Sequence, residues 1–142
     1  MRRKLQLLWQ GALPSQNIKR RILVVDDLPD ITITLKMGLE ENGGFDIDAF
    51  TDPELALSCF KPDLYDLVLI DIKMPKMDGF VSYKRLKTVD PDVKVCFLTA
   101  GEMYRQDIRE EKHCALNKDM FLQKPISNED LIREINNKIG LT

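Results

Sequence analysis

Five polar side chains close runs of apolar residues. Asp26 and Asp27 follow Ile22-Leu23-Val24-Val25, and Asp71 follows Leu67-Val68-Leu69-Ile70. Thr99 follows Val93-Lys94-Val95-Cys96-Phe97-Leu98, and Lys124 follows Met120-Phe121-Leu122-Gln123. Brought together, three carboxylates, a hydroxyl and an ammonium restrict the chemistry sharply. Two carboxylates about 5 Å apart repel by roughly 3 kcal/mol at an effective dielectric of about 20, so something positive must join them. Lys124 supplies one charge, and a hard divalent cation on carboxylate oxygens supplies two. With few protein ligands and room for water and phosphate oxygens, the set favours Mg2+ over Ca2+, which takes a fuller oxygen cage. A metal and a lysine flanking a carboxylate make a pocket for a dianionic phosphoryl group, whose transfer depends on positioning and charge neutralisation. Aspartate is a competent nucleophile for that transfer, through an aspartyl-phosphate.

The elements that must position these groups are legible in the same runs. Short apolar stretches alternate with longer amphipathic ones from residue 21 onward, which predicts βα repeats around a parallel sheet. The wholly apolar runs at 22–25 and 67–70 suit strands buried on both faces, whereas Phe45-Asp46-Ile47-Asp48-Ala49-Phe50 alternates and suits an edge. Pro29, Thr51-Asp52-Pro53-Glu54 and Ser127-Asn128-Glu129-Asp130 are helix starts. Ile126, Leu131, Ile132, Ile135 and Ile139 give the last helix a core-facing stripe. The fourth helix, within residues 103–115, has few apolar anchors and is expected to be loosely held. The reading is an α/β fold, a flavodoxin-like (βα)5 three-layer sandwich with a parallel five-stranded sheet in the order 2-1-3-4-5. In such a sheet ligands bind beyond the carboxyl ends of the strands, so all five polar side chains face one rim.

Composition sets outer bounds. The 142 residues are 44% hydrophobic and 31% charged, as in one globular domain. The net charge of -2 hides an asymmetry: the first 21 residues hold six basic groups and no acid, leaving 15 basic against 23 acidic groups, a net of -8, over residues 22–142. An acidic body repels nucleic acid phosphates, so direct nucleic acid binding is not expected. No apolar run approaches the roughly 18–20 residues of a transmembrane helix. Cys59, Cys96 and Cys114 are odd in number and lack metal-ligand spacing, which favours reduced thiols and a cytoplasmic location. Residues 1–20 read as a basic N-terminal extension and residues 21–142 as the domain. The extension places Leu5, Leu8, Trp9 and Ala12 on one helical face, and it is too short to be stable unless docked on its own domain or a partner.

Over about residues 20–140 the chain resembles the receiver domain of two-component response regulators. The segments that carry the resemblance are Ile22-Leu23-Val24-Val25-Asp26-Asp27, Leu69-Ile70-Asp71-Ile72-Lys73-Met74-Pro75-Lys76-Met77-Asp78-Gly79 and Phe121-Leu122-Gln123-Lys124-Pro125. The resemblance implies that Asp71 accepts a phosphoryl group from a phosphohistidine of a sensor histidine kinase or a phosphotransfer protein. It implies Mg2+ held by Asp26, Asp27, Asp71 and the backbone carbonyl of Lys73, with Asp27 the direct ligand and Asp26 acting through water. Lys124 would pair with a phosphoryl oxygen, oriented by a cis Lys124-Pro125 bond. Thr99 would swing in with the backbone N–H of Ala100 nearby, and Phe121 would turn inward behind it. A downstream protein target would then read the face around the fourth helix, fifth strand and fifth helix, and a phosphorylation-dependent homodimer is a further expectation. The chain would act as a stand-alone signalling module, its own chemistry limited to self-phosphorylation and self-dephosphorylation.

Some residues depart from the family pattern. Phe121 stands where the family often has Tyr, so rotation there changes packing without a hydroxyl. Cys114-Ala115-Leu116-Asn117-Lys118-Asp119 replaces the usual Gly-Ala turn, and Lys73 and Gly101 occupy positions that influence phosphoryl lifetime. Two other readings share the residue types. A phosphatase of haloacid-dehalogenase-like type needs a second Asp two places after its nucleophile, where this chain has Lys73. A flavin carrier needs a Ser/Thr/Gly-rich phosphate loop after strand one, where this chain has Asp26-Asp27-Leu28-Pro29-Asp30.

Overall fold

The computed structural model describes residues 19–100 and 118–140. In chain order these form β1 (Arg21–Val25), α1 (Pro29–Gly43), β2 (Asp46–Phe50), α2 (Pro53–Cys59), β3 (Leu67–Asp71), α3 (Gly79–Val89), β4 (Val95–Ala100), a 3-10 turn (Lys118–Met120), β5 (Phe121–Lys124) and α4 (Asn128–Ile139). Here α4 is the last of the five expected helices. The helix expected within residues 103–115, the Cys114–Asp119 stretch up to residue 117, and the extension up to residue 18 lie outside the described residues.

The five strands form one parallel sheet in the order β2-β1-β3-β4-β5. Alternation along each strand divides the core between the two faces. Leu23, Val25, Val68, Ile70 and Phe97 meet Ala56 of α2, Phe60 just after it, and Phe80 and Leu86 of α3. Ile22, Val24, Leu67, Leu69, Cys96 and Leu98 meet Leu39 of α1 and Leu131, Ile135 and Ile139 of α4. Helices on both faces are why β1 and β3 carry no polar alternation, and the edge position of β2 is why it does. Sequence-local signals set the helix ends. Asp52, Asp78 and Ser127 accept from the N–H groups of Glu54, Val81 and Asp130, and Pro29 opens α1. Gly44 and Gly140, at φ 70° and 83°, close α1 and α4 in the left-handed conformation.

Three strand starts differ from the sequence reading. β4 begins at Val95 rather than Val93 because the buried Asp90 carboxylate accepts from the N–H groups of Asp63 and Asp92, at 3.0 and 3.1 Å, and holds the chain in a turn. β2 begins at Asp46 because the Phe45 N–H is drawn 3.4 Å from the Leu39 carbonyl at the end of α1. Met120 belongs to the 3-10 turn, so β5 starts at Phe121.

Candidate functional site

The carboxyl ends of β1, β3 and β5 bring Asp26, Asp71 and Lys124 together. Lys124 Nζ donates to Asp26 Oδ2 at 3.0 Å and to Asp71 Oδ1 at 3.2 Å, bridging groups 98 and 53 residues away in sequence. Carboxylate oxygens of Asp26, Asp27 and Asp71 all lie within 4.8 Å of one another. Asp26 is fully buried and held from several sides. Its Oδ1 accepts from the Leu28 N–H at 3.1 Å, and its carbonyl accepts from Thr32 Oγ1 at 2.8 Å. Asp27 is half-buried, and among the described residues its carboxylate makes no hydrogen bond or ion pair.

Burial is the main force on Asp71, and it raises the carboxyl to about pKa 6; Lys124 acts in the opposite sense, while Asp26 and Asp27 add to the rise. Burial would lower Lys124, but its hydrogen bond to Asp26 and the charges of Asp71 and Asp26 outweigh that, so its pKa is raised and the ammonium stays charged. Three acids against one base leave this rim short of positive charge. The oxygen-only donor set, with an uncommitted carboxylate on Asp27, fits a hard cation of the Mg2+ class.

Thr99 and Ala100 close β4 beside the rim. The register pairs Asp71 with Leu98, Thr99 with Gln123, and Ala100 with Lys124. Thr99 is buried and Ala100 exposed. Lys73 has an exposed side chain and sits two residues past Asp71, in the loop that leaves β3. The Lys124-Pro125 peptide bond is cis. Phe121 already lies inward, 4% exposed, with its ring 5.3 Å from Phe97 and 6.2 Å from Phe80. In this arrangement it is a core aromatic, with no outward ring left to turn.

Two supports were not legible as parts of a site. A Cβ at Gly79 would stand 2.7 Å from the Asp71 carbonyl oxygen, so only glycine lets α3 begin against the end of β3. Its N–H also donates to the Ile72 carbonyl at 2.8 Å. Thr32 ties α1 back to Asp26; its only sequence signal is a small hydroxyl residue among the apolar ones of a helix.

The sequence matches the Response regulator receiver domain family over residues 22–136. This chain belongs to that family. It is 30% identical over 113 residues to the transcriptional regulatory protein RprY of Bacteroides fragilis, covering 80% of this chain and 46% of that protein. It is 38% identical over 115 residues to the transcriptional regulatory protein PrrA of Mycobacterium tuberculosis, covering 81% and 48%. The chain therefore spans about half the length of these relatives. Among solved structures, a response regulator receiver domain protein from Clostridium thermocellum superposes with a TM-score of 0.71 at 29% identity, covering 85% of this chain and 94% of that one. The receiver domain is a signalling domain of two-component systems rather than a classical enzyme, and its fold is the flavodoxin-like α/β sandwich seen here. No helix among the described residues is long and apolar enough to cross a membrane.

Proposed function

We propose that this receiver domain takes a phosphoryl group onto Asp71 from the phosphohistidine of a sensor kinase or phosphotransfer protein. An Asp71 carboxylate oxygen forms the new bond to phosphorus as the bond from phosphorus to the histidine nitrogen breaks, and the imidazole leaves with the electron pair. Attack by water later returns phosphate and the free carboxylate. The observation that carries this reading is the single Lys124 ammonium held within 3.2 Å of both Asp26 and Asp71. It keeps a fixed positive charge at the acceptor oxygen, where phosphoryl charge must be neutralised.

Each neighbour has a definite task in the proposal. Asp27, Asp26, Asp71 and the Lys73 carbonyl would hold Mg2+, which when bound would supply two positive charges to neutralise the phosphoryl oxygens. Asp27, uncommitted among the described residues, would be the direct ligand, and Asp26, occupied by Lys124 and the Leu28 N–H, would act through water. The Thr99 hydroxyl and the Ala100 N–H donate to the phosphoryl oxygens. Any movement of Thr99 is felt by Phe121, which packs on Phe97 two residues before it. The altered face around β5, α4 and residues 103–115 is read by a protein target. The names of the relatives support a transcriptional output, while the net charge of -8 over residues 22–142 argues against DNA contact by this part of the chain.

The test is exposure to acetyl phosphate with Mg2+, read by intact mass. One added phosphoryl group is expected on the wild type, none after chelation of the metal, and none on Asp71→Asn. Equal gain by both proteins would remove Asp71 from its role.

A further inference from the structure

One line of α1 has no partner among the described residues. Ile33 and Met37, one helical turn apart, are 57% and 53% exposed, and the exposed carboxylates of Asp30 and Glu41 flank them without an ion pair. The other sides of α1 are occupied. Thr32 and Leu39 are buried, Gly38 abuts Asn128, and Lys36 reaches the Ile47 carbonyl at 2.7 Å.

We propose that the chain's own extension covers this line, with Leu5 and Trp9 seated on Ile33 and Met37. The spacing matches on both sides. Asp30, Ile33 and Met37 are separated by three and four residues, and so are Arg2, Leu5 and Trp9. In two helices side by side and running the same way, that register sets base against acid and apolar against apolar. The direction and reach agree. The Arg20 carbonyl accepts from the Asp46 N–H at 2.9 Å, so the extension leaves the domain beside the turn that follows the end of α1. From there it must run toward the start of α1. The seven steps from Ala12 to Lys19 span at most about 25 Å, enough to bring residues 2–12 alongside. Charge selects this face over the exposed apolar residues of α3. Val81 and Val89 on α3 lie among Lys84, Arg85 and Lys87, which repel an extension carrying five basic groups and no acid. A tether this short makes the contact intramolecular, so a small apolar patch suffices to populate it.

Trp9 is the only tryptophan and reports the contact directly. In the full chain its emission is expected to be blue-shifted and shielded from acrylamide, independent of protein concentration. Met37→Lys and Ile33→Lys should return both readouts to those of the urea-unfolded chain and remove no more far-UV helical signal than the extension supplies, with the thermal midpoint of the body unchanged because both positions are exposed. Arg2→Asp should weaken the shielding, and adding Asp30→Arg should restore it. Four results would overturn the proposal: a wild-type Trp9 already as accessible as in urea, shielding indifferent to the α1 substitutions, shielding that rises with protein concentration alongside a dimer mass, or shielding that appears only with anionic lipid vesicles.

Discussion

Lys124 and Asp71, 53 residues apart in the chain, meet at 3.2 Å at the ends of two strands that do not touch each other, with β4 running between them. The Lys124 side chain is about a quarter exposed and Asp26 fully buried, so removing the lysine leaves two acids facing each other in a site that solvent only partly reaches. Breaking a buried pair costs about 3–5 kcal/mol, and partial exposure reduces this to about 1–3. Lys124→Met should therefore lower the urea-unfolding free energy by about 1–3 kcal/mol in metal-free buffer, whereas Asp71→Asn, which relieves repulsion, should match or exceed the wild type. A Lys124→Met protein as stable as the wild type would show that the ammonium is not holding the acids.

The same surplus of negative charge predicts a response to metal. A ligand that binds only the folded state at 100 times its dissociation constant adds about 2.7 kcal/mol of stability. Mg2+ titrated into the wild type should raise the thermal midpoint until saturation, and chelation should reverse the rise. Asp27→Asn should flatten the response, because Asp27 offers the carboxylate that no group among the described residues occupies. A midpoint that climbs identically in the variant would mean a non-specific salt effect.

Gly79 gives a prediction about positioning. A methyl group added 2.7 Å from the Asp71 carbonyl meets backbone, which cannot swing aside, so either β3 or the start of α3 must move. Gly79→Ala should cost about 1–3 kcal/mol, the usual range for overpacking. It should also slow acetyl phosphate labelling of Asp71 relative to an alanine substitution at the exposed Lys84. Labelling at the wild-type rate would separate Gly79 from the acceptor.

The acidic ends of the strands were readable because each closes a run whose apolar character requires a strand, and parallel strands in this order put their carboxyl ends on one rim. That logic located Asp26, Asp27, Asp71, Thr99 and Lys124 without coordinates. It did not reveal Gly79 against Asp71, because that contact depends on how residues 72–78 fold back, and no periodicity encodes a loop path. It also missed the Asp90 turn that delays β4, since Val93 is as apolar as the strand it precedes and only the carboxylate's bonds to Asp63 and Asp92 distinguish them. The inward turn expected of Phe121 was beyond the sequence for a related reason: a core aromatic and a moving one have the same sequence signature.

The opposite end of the sheet carries a network whose pH dependence has a determinate sign. Asp48 Oδ2 accepts from Tyr65 Oη at 2.6 Å and from Arg21 Nη2 at 2.8 Å, joining β1, β2 and the entry to β3. Burial pushes Asp48 up, but the bonds from Tyr65 and Arg21 prevail and its pKa is lowered. Burial, then the bond and charge of Asp48, raise Tyr65 well above an ordinary phenol. A lowered carboxyl contributes stability that is present above its unfolded pKa of about 4 and lost as pH falls through the folded value. A raised phenol contributes stability that is present below about pH 10 and lost as pH rises beyond it. Unfolding free energies measured from pH 3 to 11 should show the gap between wild type and Asp48→Asn closing below about pH 4, and the gap between wild type and Tyr65→Phe closing above about pH 10. Parallel profiles at either end would show that the corresponding bond does not distinguish the folded from the unfolded chain.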